Sequence, residues 1–295
     1  MKPRAFAYFA PETLYETLDL LAQHGSEAKV LAGGQSLVPL MNMREVSPAV
    51  LVDINPLVGL SHLRQDGYIL TLGAMLRQRL LATSPVVSVV CPPLTETASL
   101  VGFPAVRSRG TLGGSLAHAE PGAQLPMLMV LLGAELTLAR REGRRTIAAS
   151  DFFKGAYTTA LAPDELLLQI HIPAHAPVAG FAIHEYRRGY GGPPLLAAAA
   201  LLDLDDARRI ASVRLSLAGA DEVPLRLDAE CVSLVGTAPT GDVFHTVAER
   251  AAARVRLGDA VHADIALRQR ITAALVTRTL NEAYARAWRE TREGN

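Results

Sequence analysis

RSRGTLGGSLAHAEPGAQLP (residues 107–126) is the most informative stretch of the chain. Its glycines bring several backbone N–H groups close together, and Arg107 and Arg109 stand just before them. A diphosphate is bound by this combination of unobstructed N–H groups, hydroxyl donors and positive charge. The alternative is a glycine-packed turn beneath a helix, with arginines that only solvate a surface. This downstream loop consists of Thr111, Leu112, Gly113, Gly114 and Ser115.

A second glycine loop occurs earlier, in LAGGQSLVPLMNMR (residues 31–44), directly after a short apolar run. Glycines at the end of a strand permit a positive φ and let the backbone approach a ligand closely. By itself this upstream loop is also compatible with an ordinary tight turn. Two such loops in one half of the chain favour an anion site, although neither has a Walker lysine or the GxGxxG spacing of a Rossmann fold. The upstream loop consists of Ala32, Gly33, Gly34, Gln35, Ser36 and Leu37.

Hydrophobic periodicity predicts an α+β protein. The prolines at 173 and 177 mark a linker, after which no further glycine loop occurs. We therefore expect a cofactor-binding domain over residues 1–175, with subdomains of about 1–56 and 57–175, and a second domain over 176–295. The predicted helices cover residues 11–24, 76–82, 94–100, 125–132 and 264–288. The predicted strands cover 28–34, 49–54, 68–74 and 165–173, with hairpins that turn at 142–143 and 205–206.

The last predicted helix, residues 264–288, has apolar anchors on one stripe and arginines elsewhere. Two interpretations of it stay open. It forms a docking surface for a partner together with the 195–219 hairpin, or it packs on that hairpin and its arginines are solvated.

Composition excludes several classes of function. Lys+Arg and Asp+Glu both number 29, so no broad basic surface for nucleic acid is indicated. No apolar run has the length of a membrane span or the form of a signal peptide. The two cysteines, Cys91 and Cys231, are far apart, and the histidines show no metal-binding spacing, so we expect neither an iron–sulfur cluster nor a metal site in this chain. This cysteine usage indicates the cytoplasm.

The two loops and their flanks resemble the FAD-binding medium subunit of the molybdenum hydroxylases, of which carbon monoxide dehydrogenase and xanthine dehydrogenase are known types. The resemblance is carried by AGGQS-L-x-P-x-M-x-x-R, by a V-D-I strand and by VRxRGTLGGSLAHAEP. It continues through IAASDFFKGAYTTALAPDELL and spans nearly the whole chain. It implies a two-part FAD-binding domain of the PCMH type, followed by a small α+β domain in which helices pack on a sheet.

For individual residues, the resemblance implies that both loops contact the FAD diphosphate and that the downstream loop also lies near the flavin. His118 and Glu120 match a His-Ala/Asn-Asp/Glu-Pro run of the family, although a capped turn explains them equally well. Gln124 stands on the adenosine side. Because backbone N–H groups can hold a diphosphate unaided, we expect non-covalent FAD.

The implied function is electron transfer within a complex. A large molybdenum-pterin subunit and a small [2Fe-2S] subunit would be the partners, in a dimer of heterotrimers. This chain would pass electrons from the [2Fe-2S] subunit to an external acceptor and would have no substrate pocket or catalytic residue of its own.

Four positions depart from the family pattern. Gln124 replaces a frequent aspartate, and Phe103 and Ser108 replace the Asp and Asn of Gly-Asp-Pro and Arg-Asn-Arg. Residues 191–194, Gly-Gly-Pro-Pro, replace a Gly-Asp-Tyr/Phe ending that approaches the flavin edge in the family. These changes bear on FAD binding and on access of an acceptor to the flavin.

Two other functions compete with electron transfer. One is an autonomous FAD-dependent oxidase or reductase of the wider family, which usually has a longer substrate domain than residues 176–295 provide. The other is a non-catalytic regulator that has lost FAD, which the two intact loops disfavour.

Overall fold

The structure is a computed structural model that describes residues 1–173, 180–189, 192–238, 241–256 and 264–293. The predicted division at 175/176, the linker residue Pro177 and Gly191 lie outside the described residues. The division of domains therefore stays a prediction.

The N-terminal part is a small parallel sheet with two helices. Its elements are β1 (Ala7–Phe9), α1 (Leu14–His24), β2 (Ala28–Leu31), α2 (Leu37–Met43) and β3 (Val50–Asp53), and the strand order is β1-β3-β2.

Helix α1 begins three residues later than predicted because a capping box fixes its start. Thr13 accepts a hydrogen bond from the Glu16 amide, and the Glu16 carboxylate accepts one from the Thr13 amide. Strand β1 and helix α2 are not among the elements predicted from the sequence.

Parallel pairing determines where the upstream loop lies. Strands β2 and β3 run in the same direction, so their carboxyl ends meet at one edge of the sheet. The upstream loop follows β2 at this edge, and beside it β3 ends at Asp53, two residues before Asn55. The sequence thus brings a glycine loop and two polar side chains to the same place.

The middle part is an antiparallel five-stranded sheet in the order β4-β5-β10-β6-β7, with a group of short helices inserted after β5. Its elements are β4 (Leu63–Asp66), β5 (Ile69–Gly73), α3 (Gln78–Thr83), α4 (Pro85–Val90), α5 (Pro92–Leu100), α6 (Pro104–Arg109), α7 (Leu112–His118), α8 (Gln124–Leu132), β6 (Glu135–Arg140), β7 (Gly143–Ala148), α9 (Ala149–Phe152), β8 (Phe153–Gly155), β9 (Thr158–Thr159) and β10 (Leu166–Pro173).

Helix α8 is the buried helix that the sequence predicts, and every one of its residues is buried. It packs against α5 on one side and against the C-terminal sheet on the other. The following hairpin, β6–β7, turns at Arg141 and Glu142, one residue earlier than predicted.

The C-terminal part is an antiparallel sheet in the order β11-β12-β13-β14, covered on one face by helices. Its elements are β11 (Gly180–Tyr186), β12 (Leu196–Leu204), β13 (Ile210–Ala218), β14 (Leu225–Arg226), α10 (Asp228–Cys231), α11 (Gly241–Ala252) and α12 (Ile265–Glu293). The predicted hairpin at 205–206 and the long last helix are confirmed.

Both faces of strand β12 are buried, which explains its uninterrupted apolar sequence. Successive side chains of a strand point to opposite faces. Ala197, Ala199 and Leu201 pack into the core of the middle part, whereas Ala198 and Ala200 pack beneath the helices. The hairpin is therefore covered by its own chain.

Helix α12 also packs on its own chain. Val276, Leu280 and Ala283 are buried against the C-terminal sheet. Arg268 is buried and donates to the carbonyl oxygens of Leu195 and Gly219 at 3.2 and 2.8 Å. The apolar stripe of the helix therefore packs on the sheet, although Arg268 is buried and not solvated. The docking surface stays a prediction.

Candidate functional site

The two glycine loops lie against each other. A β-carbon built on Gly33 would be 2.8 Å from the α-carbon of Gly110 and closer still to the carbonyl oxygen of Arg109. A β-carbon on Gly114 would be 3.6 Å from that of Ala32. The fold thus joins loops that are separated by some eighty positions in the sequence into one surface.

The upstream loop supplies unoccupied backbone donors. No atom in the described ranges accepts a hydrogen bond from the backbone N–H groups of residues 33–37. Gly34 has a left-handed φ of +73°, which turns the chain, and Val38 donates to its carbonyl oxygen at 3.1 Å. Ser36 is exposed, and Gln35 donates to the Gly33 carbonyl at 3.2 Å. A run of free N–H groups of this kind is suited to the oxygens of a phosphate.

The downstream loop is held mainly by internal hydrogen bonds. The Thr111 hydroxyl accepts from the Gly114 amide at 3.0 Å and caps α7. The Leu112 amide donates to the Leu76 carbonyl at 2.9 Å, and the Gly113 amide to the Ala74 carbonyl at 2.8 Å. A β-carbon on Gly113 would collide with Ala74, so this glycine serves close packing.

Fewer donors are therefore free at the downstream loop than its sequence suggests. Leu112 and Gly113 are buried and support the loop from beneath, whereas Gly114 and Ser115 are partly exposed. Contact of these residues with FAD stays a prediction.

His118, the last residue of α7, and Glu120 lie together beside a tyrosine that the sequence did not single out. Nε2 of His118 is 3.9 Å from a Glu120 carboxylate oxygen, and the His118 and Tyr157 rings are 5.1 Å apart. Burial lowers the pKa of His118, although Glu120 acts in the opposite direction. Burial together with Glu120 raises the pKa of Tyr157 to about 12. Both shifts disfavour the charged forms of the imidazole and the phenol.

Tyr157 reaches this place through an unusual backbone conformation. Its φ is +56°, and its amide donates to the Ala119 carbonyl at 2.9 Å. A left-handed φ is uncommon for a residue with a large side chain. No local sequence signal indicated it, because the connection between Ala119 and Tyr157 joins distant parts of the chain.

Gln124 is buried and connects the middle and C-terminal parts. Its side-chain amide donates to the Leu100 carbonyl at 3.3 Å and to the Glu185 carboxylate at 2.9 Å. Arg187 donates to the same two groups, at 2.6 and 2.5 Å, and to the Gly192 carbonyl. The predicted role of Gln124 beside the adenosine stays a prediction, and the structure gives it a second role in fixing the segment that precedes Pro193.

The arrangement fits a dinucleotide better than a metal. Free N–H groups at 33–37 and the Thr111-capped start of α7 lie on adjoining loops, as a diphosphate requires, and the exposed Arg109 directly precedes the downstream loop. Within the described part of the chain, no three His, Cys, Asp or Glu side chains are grouped to hold a metal ion. Cys91 and Cys231 are both free and buried, and burial raises their pKa values to about 11 and about 12.

None of the described helices has the length and apolar character needed to cross a membrane.

Comparison with known protein families identifies both parts of the chain. Residues 4–175 match the FAD binding domain in molybdopterin dehydrogenase, and residues 182–283 match the CO dehydrogenase flavoprotein C-terminal domain.

Individual proteins are similar over almost their full length. The chain is 35% identical to the carbon monoxide dehydrogenase medium chain of Hydrogenophaga pseudoflava, covering 97% of this chain and 99% of that one. It is 34% identical to 6-hydroxypseudooxynicotine dehydrogenase complex subunit alpha of Paenarthrobacter nicotinovorans, covering 99% of each. Among solved structures, carbon monoxide dehydrogenase from H. pseudoflava superposes with a TM-score of 0.93 at 35% identity, over 97% of this chain and 99% of that chain. Quinoline 2-oxidoreductase from Pseudomonas putida 86 gives 0.92 at 36% identity, with the same coverage.

Proposed function

This chain belongs to the family of FAD-binding subunits of molybdenum hydroxylases, and from this premise we propose that it is an electron-transfer subunit. It would receive electrons from a [2Fe-2S] partner subunit and pass them to an external acceptor. The observation that carries the proposal is the close packing of the two glycine loops, with free N–H groups on the upstream loop. The chain matches models of this family over residues 4–175 and 182–283.

The two loops would have different roles in binding FAD. The free N–H groups of residues 33–37 would hold the diphosphate, and the Thr111 cap with the packing of Gly113 would keep the second loop rigid beside it. When bound, FAD supplies one- and two-electron redox chemistry, and the protein positions it. His118, Glu120 and Tyr157 form the polar group at the other end of α7, about 10 Å along the helix axis from its start. This group would border the flavin.

The names of the relatives support a function within a multi-subunit complex. The curated relatives include a protein named as a subunit of a dehydrogenase complex and a protein named as a medium chain. We propose a large molybdenum-pterin subunit, a small [2Fe-2S] subunit and a dimer of heterotrimers. The unpaired thiols of Cys91 and Cys231 are compatible with the cytoplasm, where we place the complex.

Subunit omission tests the proposal. The three chains would be co-expressed, and the flavin absorbance of the complex would be followed after addition of the organic substrate. We expect the flavin to be reduced in the complete complex and to stay oxidised when the [2Fe-2S] subunit is omitted. Substrate oxidation by the purified single chain, without molybdenum, would instead support an autonomous flavoenzyme.

A further inference from the structure

A hydrogen-bonded pair of side chains, Asn55 and Arg77, connects the backbones of the two glycine loops. Asn55 donates through its side-chain amide to the carbonyl oxygen of Ala32, in the upstream loop, at 2.9 Å. Arg77 donates to the Asn55 side-chain oxygen at 2.7 Å and to the carbonyl oxygen of Arg109, which precedes the downstream loop. A continuous series of hydrogen bonds thus connects Ala32 to Arg109.

The Arg109 carbonyl is also the atom against which Gly33 packs. A β-carbon on Gly33 would collide with this oxygen, so its position determines how closely the loops approach. Arg77 donates a hydrogen bond to this oxygen, and Gly33 packs against it. Without Arg77, the carbonyl oxygen has no side-chain donor among the described residues that would fix it at this distance.

Both members of the pair are themselves held in place. The Asp53 carboxylate accepts from the Asn55 amide at 2.9 Å and from the Asn55 side chain at 2.5 Å, and it also accepts from the Tyr8 hydroxyl at 2.6 Å. Arg77 stands opposite Thr111 in an antiparallel bridge, in which the Gln78 amide donates to the Gly110 carbonyl at 2.9 Å. Asn55 is thus fixed to the N-terminal sheet, and Arg77 to the downstream loop.

We propose that Asn55 and Arg77 are positioning residues that set the distance between the two glycine loops and thereby the affinity for FAD. The pair does not touch the diphosphate. It acts through the Ala32 and Arg109 carbonyls. This inference rests on the proposed role of the loops in binding FAD.

A double-mutant cycle on the full-length chain tests the pair. The variants are Asn55→Ala, Arg77→Ala and the double variant, and Arg79→Ala serves as a matched control because Arg79 is an exposed arginine two residues along. The Kd for FAD is measured by quenching of flavin fluorescence on the apo chain, and Tm of the apo chain is measured in parallel. Each single variant should raise Kd about tenfold, the effect of losing a hydrogen bond to a charged group. The double variant should raise it by about the same factor, because either change breaks the same chain of bonds.

Arg77→Lys separates geometry from charge. Lysine keeps the positive charge but lacks the planar fork that donates to two oxygens at once. We expect it to restore only part of the lost affinity. Full restoration by lysine, additive effects in the double variant, or Kd values within about twofold of the parent would overturn the proposal. A fall in Tm of the apo chain with unchanged Kd would do so as well, since it would show a merely structural pair.

The variant Gly33→Val separates two cases: the positioning role of Asn55 and Arg77 is wrong, or the proposed binding of FAD by the loops is wrong. Unchanged FAD affinity in Gly33→Val would show that the loops do not bind FAD, and both proposals would fall. Lost affinity in Gly33→Val together with unchanged affinity in the Asn55 and Arg77 variants would overturn only the positioning role.

Discussion

Gly33 packs directly against the carbonyl oxygen of Arg109, with no space for a β-carbon between them. This contact is the point at which the two glycine loops meet. It shows that Gly33 is required for close packing between backbones, whereas the left-handed φ that first explained the loop glycines belongs to Gly34.

A single methyl group at this contact should separate the loops. We expect Gly33→Ala to lose most of its bound FAD, because the added carbon would be 2.8 Å from the Gly110 α-carbon and one of the backbones must shift. Gly59→Ala is the matched control, since a β-carbon there meets no atom within 4 Å. Flavin content per chain after purification gives the comparison. Equal flavin in the two variants would mean that the loops do not bind FAD.

The cap of α7 should contribute measurably to stability. Thr111→Val keeps the shape of the side chain but removes the hydroxyl that accepts from the Gly114 amide. We expect the free energy of unfolding to fall by about 1 kcal/mol, the usual value for an N-cap. Thr111→Ser retains the oxygen and should lose much less. Urea unfolding of the apo chain measures both, and a larger loss in Thr111→Ser than in Thr111→Val would show that the methyl group and not the cap matters.

The sequence predicted most long elements but few of the contacts that build the site. The helix at 125–132 and the hairpin at 205–206 were predictable because their apolar runs are long, and every residue of the helix is buried. Strand β1 has three exposed residues and so has no periodic pattern to detect. The chain Asn55–Arg77–Arg109 depends on tertiary packing between distant segments, which no local pattern encodes.

Burial of His118 should make stability depend on pH. Because its pKa is lowered in the folded chain, the unfolded chain binds more protons below the ordinary value of about 6.5. Stability should therefore rise with pH through that range and stay level above it. The parent should lose this stability at pH 5, and His118→Gln should not. The free energy of unfolding of His118→Gln minus that of the parent should therefore be larger at pH 5 than at pH 7.5. His245→Gln, at an exposed position, is the control. A parent-like pH dependence in His118→Gln would contradict the prediction.

Gln124 should not tolerate the charge that the family often has at its position. Gln124→Glu would place a carboxylate at the atom that now donates to Glu185 at 2.9 Å. We expect a loss of about 1–3 kcal/mol at neutral pH, because a buried hydrogen bond is replaced by repulsion. Gln65→Glu, the same change at an exposed site on β4, should be neutral, and thermal unfolding of both variants measures the difference.

Acid precipitation should release the flavin intact. The free N–H groups of residues 33–37 hold a diphosphate through hydrogen bonds, and these are lost when the chain unfolds. The two thiols, which could otherwise form a covalent link, are buried with raised pKa values. We therefore expect all the flavin in the supernatant, where chromatography should identify it as FAD. Iron and labile sulfide should both be missing from the same preparation of the isolated chain. Flavin that remained in the pellet would show covalent attachment, and FMN in the supernatant would show that the two loops hold a mononucleotide.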